Sequence, residues 1–295
     1  MGSPRTGKAS SFPRGVWADG SPQKETPAEP EQGQRALVLV AHGSADPRAA
    51  AAIGELMPLV ARRATERGLS VPDRRVAYLG HTAPSVPQVM RAFGPDAQVT
   101  VLPLLLTAAY HSKTDIPRLL ARVSAGMRVT YGEPLGPHPL LLRALERRLP
   151  AAAFDNPAEV GVVLAAAGSS DPEANATVAR IAAQWQARTG WHAVRPAYAS
   201  PAAGGQASTG GPDPATAVTG LLRAGARRVV VASYLLAPGV FADRIRAVSL
   251  AAGAAAVSPA LLPWPPAAAG AASPEVADVV LDRYQEAGTR TRAAA

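Results

Sequence analysis

The chain has 295 residues, 47% hydrophobic, 18% charged and 5% aromatic, which excludes a disordered or fibrous polymer and leaves two α/β domains or one large one. Its net charge of +8 comes without a Lys/Arg run or interleaved aromatics, so a small polyanion is the expected partner and nucleic acid is not. The absence of cysteine removes disulfides, thiolate chemistry and Cys-type zinc sites, and fits a cytoplasmic protein.

Residues 1–34 are rich in Pro, Gly and Ser and contain no apolar core run, so they read as a disordered lead and not as a signal peptide. No later apolar stretch is long enough to suggest a membrane span. The run ALVLVA (Ala36–Ala41) predicts a buried strand. A helix follows, with Asp46 as its N-cap, Pro47 in its first position and Gly68 at its end. Next come strand RRVAYLG, short helix SVPQVMRAFG, strand QVTVLPLLL and helix DIPRLLARVSAG. A fourth strand, MRVTYGEPLG, and a fourth helix, HPLLLRALERRL, complete the first half. Strands separated by helices predict a parallel sheet with right-handed crossovers.

From Val160 the same order returns: VGVVLAAAG answers ALVLVAHG, and RRVVVASYLLAPGVFADRI answers QVTVLPLLLTAAYHSKTDI. Ala167 stands 125 positions after His42, and Phe241 stands 130 after His111. Offsets this nearly constant predict a tandem duplication of a doubly wound, parallel-sheet α/β unit. The expected organisation is a lead at 1–34, halves at 35–150 and 158–288, and a frayed tail at 289–295. The Gly/Pro/Ser-rich insertion at 201–215 reads as a mobile surface loop.

Ligands of open parallel sheets bind beyond the carboxyl ends of the strands. His42 ends the first strand and His111 follows the third, so both belong to that rim, and if the strands are near neighbours the imidazoles converge. Two neutral imidazoles suit Fe²⁺, Co²⁺, Ni²⁺ or Zn²⁺ and also accept protons near neutral pH. The second half keeps the backbone motif with Ala167 and Phe241 in their places, so the scaffold does not need these imidazoles. His81, after the second strand, either lines the same cleft or caps a turn. Gly43 and Ser44 either offer N–H groups to an anion or form the turn before Asp46; their recurrence as Gly168 and Ser169 favours the turn.

The segments VAHGSADPR, PLLLTAAYHSKTDIP and YGEPLGPHPLL resemble the class II tetrapyrrole chelatases, the sirohydrochlorin cobalto- and ferrochelatases, in their two-domain form. The resemblance runs from about Arg35 to Ala287. It implies two α/β halves facing each other across a cleft, and a catalytic, metal-handling histidine pair, His42 and His111. It further implies Fe²⁺ or Co²⁺ as substrate with no tightly bound cofactor, and a sirohydrochlorin-type tetrapyrrole as the polyanion. Lacking the His-rich tracts of some cobalt-handling members, the chain points to iron ahead of cobalt. Ser44, Arg48, His81 and Lys113 are the candidate substrate-binding residues, and one chain suffices to build the cleft. Where members commonly carry an acid after the second strand, this chain has Gly80, and His81 is the nearest substitute. A non-catalytic metal or tetrapyrrole carrier on the same histidines is the alternative. No G-x-G-x-x-G, P-loop or G-x-S-x-G pattern supports phosphate-binding or serine-hydrolase chemistry.

Overall fold

The computed structural model describes residues 35–71, 73–108, 114–200, 211–265 and 274–294. The lead at 1–34 and most of the 201–215 insertion lie outside them. The first sheet contains β1 (Arg35–Ala41), β2 (Asp73–Tyr78), β3 (Gln98–Pro103) and β4 (Arg128–Tyr131), all parallel, in the order β2-β1-β3-β4. Its helices are α1 (Pro47–Glu66), α2 (Val86–Arg91), α3 (Ile116–Val123) and α4 (Pro139–Glu146). After a short α5 (Ala152–Asp155) and a single 3₁₀ turn, the second sheet repeats the plan. It holds β5 (Val160–Ala166), β6 (Ala193–Tyr198), β7 (Arg228–Tyr234) and β8 (Ala256–Val257), ordered β6-β5-β7-β8. Its helices are α6 (Pro172–Arg188), α7 (Pro214–Arg223), α8 (Val240–Ala251) and α9 (Pro274–Ala294). Among the described residues no helix is long and apolar enough to cross a membrane.

From Ala36 onward β1 is apolar because both its faces are covered. Leu37 and Leu39 point into a central core, whereas Ala36, Val38 and Val40 point into an outer one with Val89, Met90, Ile116 and Leu120. Val162 and Leu164 of β5 enter the same central core, so both sheets share it through α1, α4, α6 and α9. The terminal helices are exchanged: α9 packs on α1, β3 and β4 of the first half, while α4 packs on β7 of the second. Ion pairs and hydrogen bonds accompany this exchange. Asp278 and Asp282 of α9 receive Arg63 of α1 and Arg67 just beyond it at 2.9 and 2.7 Å, and Glu275 receives Arg147 at 2.7 Å. Arg283 donates to the carbonyls of Pro134 and Pro137, and Arg148, beyond α4, donates to those of Ala260 and Leu261.

Two local readings differ from the structure. Residues 289–294 continue α9 instead of fraying, because the Thr289 hydroxyl donates to the carbonyls of Gln285 and Glu286 and Arg290 pairs with Glu133 at 3.0 Å. Pro214 and Ala215, read with the insertion, open α7. Asp213 caps it by accepting the N–H groups of Ala215 and Thr216, the Asp-Pro start already used by α1 and α6.

Candidate active site

The order β2-β1-β3-β4 makes β1 the neighbour of both β2 and β3, with Val40 paired to Pro103 and Ala41 to Tyr78. This is the point where successive crossovers leave in opposite directions, and the rim there is the site such sheets offer a ligand. His42 follows the last residue of β1 and is exposed. Its carbonyl accepts the N–H of Gly80 at 3.1 Å, and the carbonyl of Ala41 accepts that of Leu79 at 3.0 Å. Gly43 makes the turn with φ +89°, and a Cβ there would stand 1.7 Å from the Gly80 oxygen. Only glycine fits this approach.

Ser44 serves the turn. Its hydroxyl accepts the Asp46 N–H at 3.0 Å, and its backbone N–H and carbonyl both bond the Thr82 hydroxyl. Ser169 repeats the first bond at 3.1 Å and uses Asn175 in place of Thr82. Asp46 caps α1, and the Arg48 guanidinium beside it holds its carboxyl below the ordinary range. Arg48 also reaches across to Asp243 on α8 at 2.5 and 3.2 Å, so it ties the two halves together at the rim. The two carboxylates push its pKa up.

His81 has φ +61°, a left-handed backbone uncommon outside glycine. It is exposed, and with His42 it lines a cavity of about 530 Å³. Leu79 and Leu119 give that cavity apolar wall, and Asp115, Arg118 and Arg122 of the α3 region also line it. His42 and His81 also line a second cavity of about 430 Å³, which runs to Leu236, Pro238 and Phe241 of the second half. Val240 and Phe241 are 75% and 43% exposed there, a large apolar surface opposite the histidines.

The structure therefore brings together His42, His81 and Ser44, and places Arg48 at the rim in an ion pair. His111 and Lys113 lie outside the described residues. Among the described residues no group of three or more His, Asp or Glu side chains is spaced to hold a metal ion. His138 caps α4, and His192 bonds the Ala224 carbonyl at 3.1 Å, both away from the cavity. Sequence reasoning missed Asp115, Arg118 and Arg122; the signal was an acidic helix start followed by arginines four residues apart beside the third strand.

Comparison with known proteins agrees with the duplicated fold. The CbiX family model matches the chain twice, at residues 36–152 and 161–287. A sirohydrochlorin ferrochelatase from Priestia megaterium is 26% identical over 216 residues, spanning 72% of this chain and 76% of that protein. A sirohydrochlorin cobaltochelatase from the same organism is 27% identical over 219 residues, spanning 72% and 67%. The solved structure of SirB from Bacillus subtilis with Fe³⁺ superposes with a TM-score of 0.65 at 24% identity, covering 88% of this chain and 98% of that one.

Proposed function

The chain belongs to the CbiX family and is, like its relatives, a metal chelatase of the lyase class, and on that premise we propose that it inserts Fe²⁺, ahead of Co²⁺, into sirohydrochlorin. The observation that carries the reading is the pair of cavities sharing His42 and His81, with histidines on one wall and bare apolar side chains of the other half opposite. In this reading the macrocycle lies between the halves, one face against Val240 and Phe241. His42 and His111 replace water on the incoming ion and release it to the ring, since imidazoles bind borderline divalent ions firmly but reversibly. As the ion enters, the ring loses two pyrrole protons; a neutral imidazole accepts one at physiological pH and solvent water takes the other. His81, adjacent to Gly80, takes the part of the carboxylate absent from that position. Holding the ring between two walls supplies orientation without covalent chemistry.

Anaerobic absorbance of sirohydrochlorin with Fe²⁺ or Co²⁺ tests this. The intact chain should accelerate insertion over the protein-free rate, faster with iron, and His42→Ala and His111→Ala should each remove most of the gain. Binding of the macrocycle without acceleration would replace the chelatase reading by a carrier.

A further inference from the structure

The larger cavity holds two cations that the proposed metal path leaves unused. Arg118 and Arg122 lie four residues apart on α3, so they share one side of the helix, about 6 Å apart along its axis. Ile116 and Leu120 anchor the opposite side in the outer core, which fixes both arginines at the wall of the cavity that His42 and His81 enter. Among the described residues neither guanidinium has an ion-pair or hydrogen-bond partner. Arg48, Arg63 and Arg67 differ, since each is taken by a carboxylate from the other half of the sequence. Among the described residues, two guanidiniums and two imidazoles thus line the cavity with one carboxylate, Asp115, and an apolar wall of Leu79 and Leu119.

Such a lining matches the edge of a flat apolar ring that carries acidic arms. A guanidinium fork takes a carboxylate through two parallel hydrogen bonds, and the apolar wall accepts the ring itself. We infer that Arg118 and Arg122 form a carboxylate clamp that selects a polycarboxylated macrocycle over one with few acidic arms. The inference rests on the chelatase reading for the identity of the macrocycle, and on the cavity lining for everything else.

Titration of metal-free sirohydrochlorin into the full chain, followed by absorbance or fluorescence, tests the clamp without any turnover. Arg118→Gln and Arg122→Gln should each weaken binding about tenfold, the double variant about a hundredfold, and the Lys double variant should recover part of the loss. Wild type should prefer sirohydrochlorin to a dicarboxylate porphyrin, and the double Gln variant should lose that preference. In insertion assays KM for the macrocycle should rise while KM for the metal stays. A double Gln variant that melts like wild type and binds sirohydrochlorin within twofold of it overturns the clamp. Wild type that binds the macrocycle in the clamp-dependent way but inserts no metal faster than buffer overturns the chelatase reading and leaves the clamp standing. Wild type that does not bind sirohydrochlorin overturns both.

Discussion

Gly43 and Gly80 meet backbone to backbone beneath His42: a Cβ on Gly43 would overlap the Gly80 carbonyl oxygen at 1.7 Å. The equivalent contact in the second half is looser, since a Cβ on Gly168 would meet the Tyr198 Cβ at 3.1 Å. Gly43→Ala therefore has to part β1 from β2 at the site, whereas Gly168→Ala mainly strains its own φ of +85°. Thermal and urea melts should show a loss of about 3 kcal/mol or more for Gly43→Ala and about 1–2 kcal/mol for Gly168→Ala. Insertion activity should vanish in the first variant and persist in the second. Equal effects would mean that the two turns carry no different burden.

His81 combines an exposed imidazole with a left-handed backbone. Replacing it by glycine removes the ring and relieves the backbone together. His81→Gly should be as stable as wild type or more so, by up to about 1 kcal/mol, while insertion slows at least tenfold. His81→Ala should be equally slow but less stable, since alanine keeps the strain. A fully active His81→Gly enzyme would dismiss the ring from the mechanism.

Arg48 and Asp243 join the halves at the rim, but both are well exposed, at 40% and 58%. An exposed pair of this kind contributes about 0.2–1 kcal/mol, so Asp243→Asn should shift the melting temperature little, and less still in high salt. Its effect should fall instead on entry of the macrocycle, read as a changed association rate in stopped-flow binding. A large loss of stability would show that the bridge holds the halves together.

His138 caps α4 by accepting the Leu140 N–H on Nδ1 at 3.3 Å, which requires the neutral ring. Burial, reinforced by Arg283, holds its pKa below the ordinary 6.5. A depressed value means that the unfolded chain binds the proton more readily. The cap's contribution is therefore present above about pH 6.5 and is lost as pH falls through the lower folded value. Melts at pH 7.5 and pH 5 should show wild type losing more stability than His138→Asn, which caps without titrating. Parallel curves would remove the histidine from the acid response.

What could be read from the residues alone was local or periodic. Asp46-Pro47 and Asp171-Pro172 announce helix starts through bonds two residues long, and the recurring turn at Gly43 and Gly168 exposes the duplication. The exchange of α4 and α9 has no such mark, because an amphipathic helix does not state which of two like sheets it will cover. Arg48 stood out for its closeness to the motif, yet its partner lies 195 positions away. Arg118 and Arg122 look like any solvated helix face until the strand order sets α3 beside the mouth of β1. The helix α7 was hidden by the Gly-rich segment before it, although its Asp213-Pro214 start was in view.

The exchanged helices also bear on why two like halves in one chain need not share one chemistry. A lone first half would bare the faces of β3 and β4 that α9 covers and leave its own α4 without a sheet to rest on. It could satisfy both needs at once only by trading α4 with an identical neighbour, and that pair would be symmetric, with equal mouths. Joining the two copies in one chain ends the symmetry. In the proposed reading one wall then handles the metal, and the other, with Phe241 at the position that answers His111, is at liberty to become the surface on which the ring lies.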